Sequence, residues 1–366
     1  MTLGRTIHRG YPSTVRRHAK ANPDRGYRAI ALRRGRFSGV VPARTLTVCA
    51  ALLLGVLVLG VVALGIGTVP LSPDRVIGAF LGTGDPQSRL LVLGWRLPRA
   101  LFAVAAGAAL AISGAIFQSL TRNPLGSPDV IGFSAGSYTG AIIVMLALGS
   151  TRYLDVAAGS LIGGGVTAAC VYLLALRRGT LQPFRLIIMG IGVAALLSSV
   201  NSALMIFVDS ETAMLGAVWS AGSLNGLGTA QLLPMVLVLA VLLIGVAALA
   251  TPLRQLELGD DAARALGTRV GLARVGAVIL GVALTALVTA AAGPIAFVAL
   301  AAPQIAHRLT RGSGLQLIPS ALAGALVLLA SDTLAQRLGF PVGVITASLG
   351  GVYLAWLLAD EFRRRR

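Results

Sequence analysis

The chain has 366 residues, 56% of them hydrophobic and 12% charged, with a mean hydropathy of +0.83. Soluble domains carry roughly 25% charged residues, so a soluble globular protein is excluded. The net charge is +18, which basic loops beside membrane spans explain without a nucleic-acid partner. Cys49 and Cys170 fall inside apolar runs and imply neither a disulfide framework nor a metal cluster.

Residues 1–45 set eleven basic residues against Asp24 and are broken by Pro12, Pro23, Gly26, Gly35 and Pro42. They read as a basic, disordered cytoplasmic tail, an orientation signal that can also meet anionic lipid. The transmembrane domain follows over 46–360, and an Arg-rich cytoplasmic C-terminus over 361–366. Ten apolar spans are expected, at about 46–67, 99–119, 129–148, 154–176, 186–208, 230–250, 271–291, 294–308, 315–331 and 341–359. The chain therefore reads as an all-α polytopic membrane protein with both termini on one side.

Loop charge assigns that side. With the N-terminus in the cytoplasm, the cytoplasmic loops hold Arg122, Arg177, Arg178, Arg254, Arg264, Arg269, Arg308 and Arg311. Asp74, Asp85, Asp155, Asp209, Glu211 and Asp332 then fall in external segments. The runs from Arg99 to Phe117 and from Arg274 to Phe297 echo one another, as do Ser127–Gly136 and Phe340–Gly350. An offset of five spans makes such halves inverted, the arrangement common in transporters. Chance likeness among Gly/Ala-rich helices is the competing explanation.

Several chemistries are missing. There is no Gly-x-x-x-x-Gly-Lys-Ser/Thr loop, so the chain forms no P-loop ATPase site. His8, His18 and His307 are isolated, and no Ser-His-Asp set is suggested. Ionisable residues are nearly lacking inside the spans, which argues against a proton- or sodium-coupled carrier. The segment Glu257–Val270 is distinctive. Asp260 and Asp261 fit the first turn of a short helix, Arg264 pairs with both, and Gly267 can close it. It is either a docking element outside the bilayer or an ordinary charged loop. Arg96 and Arg99 flank Pro98 on the external side, against the charge trend. They suit either an acidic partner or snorkelling to lipid phosphates.

An ordered set of motifs resembles the FecCD-type permeases of ABC importers for ferric siderophores, haem and cobalamin. The motifs are Arg96-Leu97-Pro98-Arg99, Gly107 to Gly114, Gln118, Arg122-Asn123-Pro124-Leu125, Pro128 to Gly132, Trp219 to Leu224, Gly259 to Gly267, Gly293 to Val298 and Pro341 to Thr346. They run from about 46 to 360 in the family's order; the tail lies outside.

The resemblance implies an inverted-repeat type II ABC importer permease of ten helices in the cytoplasmic membrane. It implies a second permease subunit, identical or not, with separate ABC ATPases using ATP and an extracytoplasmic binding protein; this chain binds no cofactor. It implies docking of the binding protein on Arg96, Arg99 and a third arginine. Arg337 is the nearest match for the third, with Gln336 at the expected place. It implies ATPase coupling through Glu257, Gly259, Asp260, Asp261, Arg264, Leu266 and Gly267. Ser113, Gln118, Asn123, Ser134 and Ser137 are candidate pathway-lining residues. Gln304 stands where the family usually has histidine, and Gly339-Phe340 where it has Glu-Leu. The reading is an importer of ferric siderophore, with haem or cobalamin as alternatives. A secondary transporter or a membrane scaffold are further rivals.

Overall fold

A computed structural model describes residues 29–34, 37–67, 69–129, 132–150, 152–177, 180–206 and 210–364. Strands β1 (Ala29–Arg34) and β2 (Phe37–Pro42) form an antiparallel hairpin leading into α1 (Ala43–Gly65). The hairpin occupies the end of the stretch expected to be a disordered tail. Its β-branched Ile30, Val40 and Val41 suit strand pairing. Residues 1–28 of that expectation lie outside the described residues.

Short helices α2 (Pro73–Leu81) and α3 (Pro86–Arg89) follow. A π-helical stretch, Leu90–Arg96, then joins α3 to α4 (Leu97–Thr121), making one helix of 36 residues. Next come α5 (Phe133–Ala147), α6 (Tyr153–Ala175), a minimal hairpin of β3 (Leu176–Arg177) and β4 (Thr180–Leu181), α7 (Pro183–Ile206) and α8 (Ser210–Ser220). The chain continues with α9 (Thr229–Glu257), α10 (Asp260–Ala265), α11 (Val270–Ala292), α12 (Val298–Thr310), α13 (Leu317–Leu338) and α14 (Val342–Arg364).

Each of the ten expected spans is a helix. Among the described residues, seven helices are long and apolar enough to cross a membrane, and α5 and Val342–Trp356 are shorter apolar helices. The expected C-terminal segment at 361 is a continuation of α14 as far as Arg364. One boundary matters for function: α13 runs to Leu338 rather than about 331, so Asp332 lies in a helix and is buried, not in an external segment.

Helix α4 is the axis. Within its apolar window 78% is buried, against 22% for α1 and 17% for α9, which face outward. It packs on α13, α11, α12 and α9. The packing is symmetric in pairs. α5 packs on α6 as α12 packs on α13, α6 on α7 as α13 on α14, and α5 on α7 as α12 on α14. α4 meets α13 and α12 as α11 meets α6 and α5. Exchanging α4–α7 with α11–α14 preserves the contacts, so the five-span echo is structural and the halves are inverted.

Small residues make this possible. A Cβ on Gly107 would collide with the carbonyl of Gly324, and one on Gly114 with the carbonyl of Ala299. In lipid, helices gain little from apolar burial against each other, so close backbone approach and dispersion must hold them. Gly114→Val should therefore force α4 away from α12 and cost about 1–3 kcal/mol or more. A clear fall in the melting temperature of the detergent-solubilised protein checks it; an unchanged melting temperature would refute the close-contact argument.

Candidate functional site

The two ends of α4 carry the polar chemistry. At its C-terminal end, Arg122 sits in the left-handed region (φ 50°), where glycine is the usual residue. That conformation costs a non-glycine residue about 1–2 kcal/mol. The side chain offsets it by donating to the Leu256 carbonyl at 2.8 Å and reaching Asp260 at 3.4 Å. Arg274, near the start of α11, gives Nη2 to both oxygens of Asp260 at 2.8 and 2.9 Å and Nη1 to the Leu181 carbonyl at 3.3 Å. Glu257 accepts from Ser119 Oγ at 3.0 Å and from the Leu315 amide at 3.1 Å.

Asp260 thus ties the short helix α10 to the end of α4 and to α11, while Glu257 ties the end of α9 to α4 and to the α12–α13 turn. Gly259 (φ 109°) and Gly267 (φ 85°) bound it in conformations that a side chain would strain. Arg264 pairs with Asp261 at 2.6 Å and stands 4.0 Å from Asp260, the expected i,i+3 and i,i+4 partners. The outer side of α10 presents Asp261, Arg264 and Leu266 to solvent, and Leu258 stands exposed just before it. Of the seven coupling candidates, Glu257 and Asp260 hold the segment in place. Asp261, Arg264 and Leu266 form its free surface, and the two glycines shape it.

At the other end of α4, Arg99 lies in its first turn. Its Nε donates to Asp332 Oδ2 at 3.0 Å, its Nη2 to Asp332 Oδ1 at 2.7 Å and its Nη1 to Asn225 Oδ1 at 2.7 Å. Asp332 is 1% exposed and also accepts from Gln336 Nε2 at 2.9 Å. Arg96 donates Nη1 to the Leu64 carbonyl at 2.8 Å and Nη2 to the Val69 carbonyl, closing the end of α1. Arg337 is exposed in the last turn of α13. Among the described residues, no acidic side chain lies within ion-pairing distance of Arg96 or Arg337. Of the three docking candidates, Arg99 is neutralised from within its own chain.

Of the five expected pathway residues, Asn123 and Ser134 are part-exposed and Ser113, Gln118 and Ser137 are buried. Ser113 is fully enclosed, donating to the Gly281 carbonyl at 2.7 Å and meeting Thr285 Oγ1 at 2.9 Å. Gln118 donates to the Leu300 carbonyl at 3.0 Å and accepts from Gln304 at 2.6 Å. Ser137 is buried beside Gly164 of α6. Ser134 Oγ donates to Asp129, and Asn123 Oδ1 caps the Leu125 amide at 2.9 Å. Ser113, Gln118 and Ser137 are thus enclosed within the bundle. Ser113 and Gln118 join α4 to α11 and α12, because polar groups inside a bundle must find partners there. Gln304, seen in the sequence only as a departure, has its role here. Asp332 and Asn225 are not legible in sequence, since their shared partner Arg99 stands 233 and 126 residues away.

An inverted ten-span bundle with a charged helix clamped outside one end defines a membrane permease subunit of the ABC-importer type. The chain belongs to the FecCD transport family, whose model matches residues 53–360. It is 45% identical over 329 residues to the ferric enterobactin transport system permease protein FepG of Escherichia coli, covering 89% of this chain and 99% of that one. It is 36% identical to the achromobactin transport system permease protein CbrC of Dickeya dadantii, over 91% and 97% of the two chains. The iron(3+)-hydroxamate import system permease protein FhuG of Bacillus subtilis is 34% identical over 86% and 97%. Among solved structures, an inward-facing metal-chelate type ABC transporter superposes with a TM-score of 0.74 at 27% identity, covering 86% of this chain and 99% of that one. The chain is a transport permease, and ATP hydrolysis belongs to separate subunits of such importers. Family membership implies ATPase and binding-protein partners.

Removing one partner of the buried ion pair leaves a charge uncompensated, so Asp332→Ala should cost about 3–5 kcal/mol. Glu257→Gln, which gives up one acceptor in a partly exposed site, should cost about 1 kcal/mol. Thermal unfolding in detergent ranks the two; the opposite order would refute the assignment of Asp332 as the principal anchor.

Proposed function

We propose that this chain is the membrane-spanning subunit that carries a ferric siderophore across the cytoplasmic membrane, driven by separate ATPases. The observation that carries this is the 45% identity to a ferric enterobactin permease over 99% of that protein's length. Radioiron uptake from a ferric siderophore should be lost in a deletion strain and restored by the gene. Unimpaired uptake, or loss of haem or cobalamin uptake instead, would sink the siderophore reading.

Orientation follows from charge. The Arg122 end gathers Arg44, Arg177, Arg254, Arg264, Arg269, Arg274, Arg308 and Arg311. The Arg99 end has fewer basic residues, with Asp74, Asp85 and Asp155 nearby. The positive-inside bias assigns the first to the cytoplasm together with both termini. The ATPase then meets α10, and a binding protein with surface carboxylates meets Arg96 and Arg337. A second permease subunit completes the pathway.

The pathway face differs from the lipid face in its hydroxyls. Helices α1 and α9 expose Leu and Val side chains over their middles, such as Leu54, Leu57, Leu237 and Val241. Among the described residues, the exposed serines within spans are Ser198, Ser199 and Ser202 of α7 and Ser348 of α14, symmetry-related helices. The hydroxyls of Ser199, Ser202 and Ser348 are satisfied by their own helix backbone, giving weakly polar walls that a bulky chelate can pass without being held.

Leu266 is 57% exposed, so Leu266→Asp should leave the fold intact. It should release the ATPase from the purified complex; an ATPase that still copurifies in full would sink the coupling role of α10.

A further inference from the structure

We propose that the chain carries, beside the head of α11, a binding site for the phosphodiester headgroup of an anionic phospholipid of the cytoplasmic leaflet. The site is a cavity of about 520 Å³ between α11, Arg264 of α10, Leu181 of β4 and Tyr172 of α6. It adjoins a second cavity of about 440 Å³, which shares Leu181, Arg264 and Arg274 and adds Arg122 and Asp260 to the walls. The proposal takes from the reading above the side on which this end lies, and needs neither the cargo nor the direction of transport.

Charge is the first argument. Arg122, Arg264, Arg269 and Arg274 surround the two cavities, and Asp260 is the carboxylate in their walls. Three of the arginines share it: Arg274 at 2.8 Å, Arg122 at 3.4 Å and Arg264 at 4.0 Å. Asp261 takes part of the charge of Arg264 from the solvent side. Arg269 is exposed, and among the described residues no acid lies within ion-pairing distance of it. Four guanidinium groups against Asp260 and Asp261 leave an excess of two positive charges around the cavities. The planar fork of a guanidinium matches the paired oxygens of a phosphodiester.

Position is the second argument. α11 is long and apolar enough to cross the membrane from Val270 onward, so Arg269 and the cavity lie at headgroup depth. Leu272, Val275 and Ile279 are exposed at i, i+3 and i+7, one stripe of α11 that runs from the cavity into the hydrocarbon layer. Leu272 and Val275 line the cavity itself. A soluble phosphate would use the arginines and leave the stripe idle; a phospholipid uses both, its headgroup in the cavity and its chains along α11. Basic pockets between spans on the cytoplasmic side bind acidic headgroups for this reason, and each arginine near the surface contributes about fivefold in affinity. A headgroup held here touches the arginines that fix Asp260, so the charge of the bilayer bears directly on α10.

The test titrates the assembled, delipidated transporter in detergent with phosphatidylglycerol or with phosphatidylcholine of the same chains, and counts bound lipid by native mass spectrometry. Phosphatidylglycerol should bind at least about fivefold more tightly. Arg269→Gln should remove about that factor and leave phosphatidylcholine binding unchanged. Gly271 lines the cavity, and no atom lies within 4 Å of where its side chain would begin. Gly271→Phe should therefore fill the cavity and lower phosphatidylglycerol binding with no change of charge. Arg254→Gln, which removes an exposed arginine of α9 outside both cavities, should leave binding as in the wild type. Equal binding of the two lipids, or no loss in Arg269→Gln, would overturn the proposal. So would an equal loss in Arg254→Gln, the mark of a diffuse field rather than a site. Displacement of the lipid by glycerol 1-phosphate at the concentration at which the lipid binds would overturn it too, in favour of a soluble anion. Should Gly271→Phe not assemble, the Arg269 and Arg254 variants decide. Iron uptake is no part of the readout, so a failed siderophore assignment leaves the result standing.

Discussion

Close approach of helix backbones is the constraint on which this bundle depends. In lipid there is no general apolar attraction between helices, so α4 must touch α12 and α13 nearly backbone to backbone. Gly107 against Gly324 and Gly114 against Ala299 allow that contact. Once α4 is fixed, its polar side chains have nowhere to go except into neighbouring helices. Ser113 and Gln118 become cross-links to α11 and α12 for that reason.

The same axis separates two electrostatic designs. At the Arg122 end, cations and anions alternate around Asp260, and the pairing leaves a rigid helix with an exposed outer face. Asp260 joins this helix to α4 through Arg122 and to α11 through Arg274, so the three would move together under load. At the Arg99 end the carboxylate is buried and its arginine saturated. One end therefore exposes the outer face of α10, and the other conceals its ion pair. The membrane accounts for the difference in burial, since an ion pair inside the helical layer must be complete while one outside it can share its charge with water.

Symmetry ties these designs to transport. The inverted halves place α7 and α14 in equivalent positions, and both present serines where α1 and α9 present aliphatic side chains. An alternating-access device needs two arrangements of nearly equal energy, and two related halves packed through small residues supply them.

Much of this was written in the residue order. Hydropathy determined ten spans, because each must satisfy its backbone within itself and so needs a continuous apolar run. Local spacing determined α10, since its caps and its i,i+3 and i,i+4 pairs lie within eight residues of one another. The motif order determined the family. Only the tertiary structure decided which polar residues face each other. Asp332 reads as a loop residue until α13 is seen to continue past it and to lie against α4. Ser113 and Gln118 read as pathway hydroxyl and amide until α11 and α12 enclose them. The reason is physical: periodicity reports which face of a helix is polar, but a charge is judged by what stands opposite, and here the opposite residue is 233 positions away.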